Sequence, residues 1–82
     1  MIKSTDISNG ETIILRNGWY GTMKDGQKRK NIRMAEVQGI YTEIGSIYVH
    51  DIVSVFRDGR EIPVEHTDAQ KNLRKKLTGI FV

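Results

Sequence analysis

A run of cations next to an amide side chain is the most distinctive chemical feature of the sequence. Lys28, Arg29 and Lys30 are adjacent and are followed at once by Asn31. Cations on an exposed loop can contact phosphate oxygens, and the Asn amide can pair with a base edge through its donor and its acceptor. The pattern therefore predicts a contact with single-stranded nucleic acid, although a solvated hairpin loop would have the same composition.

His50 and Asp51 form a second candidate pair. Residues 47–56 alternate in hydrophobicity, but Asp51 falls on the apolar side, which predicts a turn at this pair. His50 in such a turn could stack on a base or contact a phosphate; the alternative is a turn pair in which Asp51 accepts a backbone hydrogen bond. His50, His66 and the scattered carboxylates match no catalytic or metal-binding motif, so we expect neither an enzyme nor a cofactor.

The net charge of +3 is unevenly distributed along the chain. Residues 24–33 carry five basic groups and one acidic group, residues 71–76 carry four basic groups and no acidic group, and the rest of the chain is acidic. The second basic segment lies on one face of a predicted helix. A solvated helix face is the favoured interpretation, and a second phosphate-binding surface is the alternative.

Turn signals divide most of the chain into short β-strands, which must position these residues. Asn17-Gly18 and Asp58-Gly59 predict hairpin turns, because both central residues of such turns adopt positive φ. The predicted strands are 12–16, 19–24, 31–38, 61–65 and the stretch 47–56, which the turn at His50-Asp51 divides into two short strands. Residues 39–42 could continue the strand 31–38.

Two irregularities and an edge strand are predicted among these elements. The apolar residues change face near Ala35 and Glu36, which indicates a bulge or a strong bend, and residues 43–46 are typical of a turn. Pro63 cannot donate a hydrogen bond to a neighbouring strand, so residues 61–65 are predicted to form an edge strand.

The C-terminal segment, residues 67–80, is predicted to form an amphipathic helix. Thr67 and Gln70 have the spacing of a capping box. Apolar residues then recur every four positions and are expected to pack on the sheet, at Ala69, Leu73, Leu77 and Phe81. Together with strands over residues 11–66, this predicts a single mainly β domain, residues 1–82: a small, strongly bent, five-stranded open barrel with one C-terminal α-helix.

Length and composition exclude several classes of protein. With 82 residues, of which 38% are hydrophobic, the chain forms one domain with a small core. It contains no cysteine and so has neither a disulfide nor a thiolate metal site. Its apolar runs reach only three residues, so we expect no membrane-spanning segment and no secretory signal, and we predict a cytoplasmic location.

Two parts of the chain resemble the two motifs of the Sm/LSm family of RNA-binding proteins. The residues similar to the first motif are Leu15-Arg16-Asn17-Gly18, Gly21, Asn31-Ile32-Arg33-Met34 and Val37. Residues 47–55 are similar to the second motif, with His50-Asp51 where the family has Arg-Gly. Lys30 stands where the family has a base-stacking residue. The family's helix precedes its barrel, whereas the predicted helix follows it here.

The resemblance implies an SH3-like, Sm-like barrel that binds RNA or single-stranded DNA and has a role in RNA or DNA processing. The binding residues that it implies are Lys28, Arg29, Lys30, Asn31 and His50. Edge strands pair between neighbouring subunits in the family, so it also implies a homo-oligomeric ring, which would satisfy the free edges of an open barrel. The alternative is a non-catalytic SH3-like structural or protein-interaction module, for example a phage accessory subunit, in which the basic loop only improves solubility.

Overall fold

The computed structural model describes residues 1–25, 31–77 and 79, which form a mainly β fold with one C-terminal α-helix. The predicted class is therefore confirmed. The elements are β1 (Ile2–Lys3), β2 (Thr12–Leu15), β3 (Tyr20–Met23), β4 (Ile32–Gln38), β5 (Thr42–Tyr48), β6 (Ile52–Arg57), β7 (Arg60–Glu65) and α1 (Asp68–Lys76). Short 3-10 turns follow β1 and β5, at Ser4–Asp6 and Val49–Asp51.

The described strands form one open sheet in the order β1-β7-β6-β2-β3-β4-β5. β1 and β7 are parallel, and every other neighbouring pair is antiparallel. The sheet has seven described strands where the sequence predicts a five-stranded barrel, because β7 and then β1 extend it beyond β6. β1 covers β7 only at Val64 and Glu65, so Pro63 lies on a part of β7 that β1 leaves open.

Two of three local signals, Asp58-Gly59 and the Thr67 cap, produce the structure that the sequence predicts. At Asn17-Gly18 only Gly18 adopts a positive φ, and the Gly18 N–H donates to the Leu15 carbonyl oxygen, so the turn is centred on Arg16 and Asn17. Gly18, between β2 and β3, has a φ of +87°, and Asp58 and Gly59, between β6 and β7, have φ values of 50° and 73°. Thr67 and Gln70 form the capping box of α1: the Gln70 N–H donates to Thr67 Oγ1 at 3.2 Å and the Thr67 N–H donates to Gln70 Oε1 at 3.0 Å. Each signal acts within four residues, so tertiary contacts are not needed to specify it.

The region from β4 to β5 differs from the prediction. β4 pairs with β3 and with β5 in continuous registers, so of the two predicted irregularities near Ala35 and Glu36 the bulge is wrong, and the strong bend stays a prediction. The register shift of the sheet lies instead between Ile14 and Leu15 of β2. Residues 43–46 belong to β5 and not to a turn; the chain reverses at residues 39–41, which connect β4 to β5.

The buried face of the sheet explains the error in β4. Arg33, Ala35 and Val37 alternate along this strand and are all buried. The interior residues therefore never change face; one of them is simply charged. The apolar side chains of the core are Ile7, Ile13, Leu15, Met23, Ala35, Val37, Ile47, Val49, Ile52, Val55 and Val64.

α1 packs against the 3-10 turn that follows β5, and its buried side agrees only in part with the prediction. Gln70 is buried and Leu73 and Leu77 are half-buried, whereas Ala69 is exposed. Phe81 lies outside the described residues. In the part of the chain that the structure describes, no helix has the length and apolar character needed to cross a membrane.

Candidate nucleic-acid interface

Asn31 is the residue through which the structure connects the two predicted binding segments. It is exposed and immediately precedes β4. Its carbonyl oxygen accepts a hydrogen bond of 2.9 Å from the Val49 N–H, so the start of β4 is fixed to the 3-10 turn that contains His50. Lys28, Arg29 and Lys30 directly precede Asn31 in sequence and lie outside the described residues.

A surface groove of about 600 Å³ begins at Asn31. One wall is the N-terminal segment, with Lys3, Ser4 and Thr5, and the other wall is the end of β7 and the first turn of α1, including His66. The parallel pairing of β1 with β7 brings these walls together. Lys3 and Glu65 are both exposed, line the groove and are opposite each other in the β1–β7 pair, so the described lining carries one charge of each sign. A positive potential at this groove would have to come from the cationic triplet, which adjoins it in sequence.

Arg33 holds the N-terminal wall of the groove from inside. Its side chain is fully buried, and its Nη1 and Nη2 donate to the carbonyl oxygens of Ser4 and Ile7 at 3.0 and 2.9 Å. Its Nε donates to Asp25 Oδ1 at 2.8 Å, which pairs the charge. Arg33 is therefore a structural cation, unavailable to phosphate, although the sequence counts it in the basic segment.

His50 lies in the interior, not at the surface. Only 2% of the residue is exposed, and its ring stacks on Tyr48 with centroids 5.0 Å apart. Burial lowers the pKa of His50 below its usual value, because desolvation disfavours the cation more than Asp51 nearby favours it. The ring is then neutral at pH 7, and in this conformation it cannot make the contact with nucleic acid that the sequence predicts for it.

Asp51 anchors the 3-10 turn to the β2–β3 hairpin. Its carboxylate is fully buried and accepts a charged hydrogen bond from Arg16 Nε. Its carbonyl oxygen accepts a second bond, of 2.8 Å, from the Arg16 N–H. The favoured role of the His50–Asp51 pair is thus structural, because both residues belong to the turn whose Val49 N–H donates to the Asn31 carbonyl oxygen.

The basic face of α1 is exposed. Its cations are Lys71, Arg74, Lys75 and Lys76, and none of them is buried. This agrees with a solvated face, while a contact with phosphate through these residues remains a prediction. Among residues 1–25, 31–77 and 79, no three His, Asp or Glu side chains are grouped so that they could hold a metal ion.

An apolar surface lies away from the groove, at the turn between β4 and β5. Ile40 is 89% exposed, Tyr41 72% and Ile44 62%. Beside them Trp19 and Tyr41 line a depression of about 180 Å³. Ile40 and Tyr41 both line this depression, so exposed apolar side chains and a concave surface coincide at this end of the sheet.

Comparison of the chain with models of protein families, with curated proteins and with solved structures gave no match. The functional interpretation therefore depends on the residues and their geometry. Sequence reasoning singled out Asn31 and the cationic triplet, but it missed Lys3 and Ser4 and gave Arg33 no structural role. No sequence signal points to Lys3 and Ser4, because the groove forms only when the N-terminus pairs with β7, about 60 residues further along the chain.

Proposed function

We propose that this protein is a non-catalytic, Sm/LSm-like small barrel that binds single-stranded RNA or DNA. One observation carries the proposal: the exposed Asn31 stands at the rim of a groove and directly follows three adjacent cations. Phosphates would be bound by Lys28, Arg29 and Lys30, with Lys3 as an additional cation. The Asn31 amide would pair with a base edge, since it presents both a donor and an acceptor.

The order of the central strands supports the small-barrel part of the proposal. β2, β3, β4 and β5 form an antiparallel meander, and β6 follows a 3-10 turn and pairs back with β2. A five-stranded SH3-like barrel has this connectivity, so β2 to β6 are the strands that we assign to it. β7 and β1 are then additions on the outer side of β6.

The experiment is a fluorescence-anisotropy titration of labelled oligo-U and oligo-A in two salt concentrations. The variant replaces Lys28, Arg29 and Lys30 with Ala, and the matched control replaces Lys71, Lys75 and Lys76, which removes the same charge from α1. Loss of three phosphate contacts should reduce the slope of log K against log salt by about 2 between roughly 50 and 200 mM. The control should keep most of the slope.

Replacing Asn31 with Ala separates base recognition from charge. We expect weaker binding with an unchanged salt slope, because the amide makes no ionic contact. If the wild-type protein does not bind at about 100 mM salt, or if both triple variants lose affinity equally, the assignment of the loop is wrong.

A protein-interaction module is the second candidate function, and the exposed Ile40, Tyr41 and Ile44 favour it. A protein that binds neither oligonucleotide but associates through these residues would be of this class. The ring implied by the resemblance stays a prediction. β7 pairs with the outer side of β6, so β6 has no free edge through which it could join a neighbouring subunit in such a ring.

A further inference from the structure

β5 is an edge strand, and no strand among the described residues pairs with its outer side. The Lys24 N–H donates to the Met34 carbonyl oxygen at 2.9 Å, so the backbone groups of Met34 face β3. Backbone N–H and C=O groups alternate in direction along β4, so those of Arg33, Ala35 and Val37 face β5. They pair there with the backbone groups of Ile47, Gly45 and Glu43. The backbone groups of the intervening β5 residues point away from β4; these residues are Thr42, Ile44, Ser46 and Tyr48.

The two edges of the sheet are protected very differently. β1, at one edge, has only two residues, and the open part of β7 beside it carries Pro63, which has no N–H to donate. β5, at the other edge, has seven residues without Pro, Lys or Arg, and its Ile44 is largely exposed. An unprotected edge of this kind pairs readily with another strand.

We infer that β5 pairs antiparallel with β5 of a second copy, about a two-fold axis at Gly45. Gly45 is the middle residue of the strand, so this register pairs all seven residues of each copy. The four outward residues of each strand would supply about eight hydrogen bonds in all. A two-fold contact joins the β5 edges of both copies, so the dimer has no β5 edge left to pair with a third copy. The protected edge at β1 and β7 takes no part in it.

The charge pattern of β5 favours this register. Glu43 is the only acidic or basic side chain of the strand, and pairing about Gly45 sets it opposite Ile47 of the partner subunit. The two Glu43 carboxylates are then separated by about 14 Å, which is further than charges interact strongly at physiological salt. A register centred on Glu43 would set the carboxylates side by side, and like charges in that position are destabilising.

The side chains on the outer face also fit a second copy. Ile44 would lie opposite the small Ser46 of the partner subunit, and Ser46 is itself paired with Met34, which is 40% exposed. Ile44 of each copy would therefore cover Met34 of the other. Two large apolar side chains per copy would lose contact with water, in addition to the backbone pairing.

Sedimentation equilibrium without nucleic acid tests the inference. We expect a dimer of the 9.4 kDa chain at about 100 µM, with an affinity in the micromolar range because the contact is small. Ser46→Pro removes one outward N–H and leaves the bonds to β4 intact, and Ile44→Lys places a charge on the edge. Each should raise the dissociation constant at least tenfold.

Val53→Lys is the matched control, since Val53 is exposed but lies on β6; it should leave the dimer unchanged. Gly45→Cys would place one thiol at the axis of a chain without cysteine, and it should oxidise to a covalent dimer faster than Val53→Cys does. A monomer at every concentration, a mass of three or more copies, or equal effects of Ile44→Lys and Val53→Lys would overturn the inference.

Discussion

Arg33 offers the sharpest test of how burial governs the stability of this fold. Replacement by Met keeps the apolar part of the side chain and removes the guanidinium. The Asp25 carboxylate and the carbonyl oxygens of Ser4 and Ile7 then lose the three hydrogen bonds that Arg33 donates. Because the Arg33 side chain is fully buried, water cannot replace these bonds without opening the N-terminal segment.

The expected loss is about 4 kcal/mol, within the range for removing one partner of a buried ion pair. A chain of 82 residues has a free energy of unfolding of about 4–12 kcal/mol, so this variant should lose at least about a third of its stability at 25 °C. Urea denaturation followed by circular dichroism measures the loss. In the Arg33→Met background, Asp25→Asn should cost little more, because the carboxylate has already lost its ionic partner and the Asn oxygen can still accept from the Met34 N–H.

Arg57→Met is the matched control. Arg57 also donates three hydrogen bonds to the N-terminal segment, two to Glu11 and one to the Asp6 carbonyl oxygen, but a third of its side chain is exposed. Water can hydrate the groups that it leaves, so the loss should be less than half of that for Arg33→Met. Equal losses, or a larger loss for Arg57, would refute the argument from burial.

Two further predictions concern a buried histidine and a close glycine contact. Because burial holds the pKa of His50 below the 6.5 of the unfolded chain, the unfolded state binds more protons, and the free energy of unfolding should fall as the pH drops below about 6.5. His50→Phe should reduce this slope in urea denaturation at pH 5 to 7.5, whereas an unchanged slope would contradict the assignment. A Cβ at Gly39 would lie 2.5 Å from the Trp19 ring, so Gly39→Ala should cost about 1–3 kcal/mol and shift the Trp19 emission. Gly59→Ala, where nothing lies within 4 Å, should leave that emission unchanged.

The parts of the fold that could be predicted are those with a short-range cause. The positive φ of Gly18, the Asp58-Gly59 turn and the Thr67 cap each follow from the residues nearby. The change of face predicted in β4 is wrong because a charged residue, Arg33, occupies an interior position. Hydrophobicity patterns assume that charges face water, and they fail where a buried charge has partners that are distant in sequence.

The candidate site divides in the same way. Asn31 and the three cations before it are recognisable in the sequence because their chemistry depends on residue type and adjacency. His50 has the same kind of chemistry, but the packing of its ring on Tyr48 and the contact of its turn with α1 remove it from the surface. Exposure depends on the rest of the fold, so the sequence could not tell that Asn31 is exposed and that His50 is buried.

The sequence by itself determined a small β domain with its hairpin turns, its C-terminal helix and a concentrated cationic segment, because periodicity, turn residues and charge are local properties. Only the tertiary structure decided the order of the strands, the groove at Asn31, the burial of Arg33 and His50, and the open edge at β5. These features arise from contacts such as that of Ile2 with Val64, between residues far apart in the chain. Such contacts depend on how the whole core packs, and no short segment encodes them.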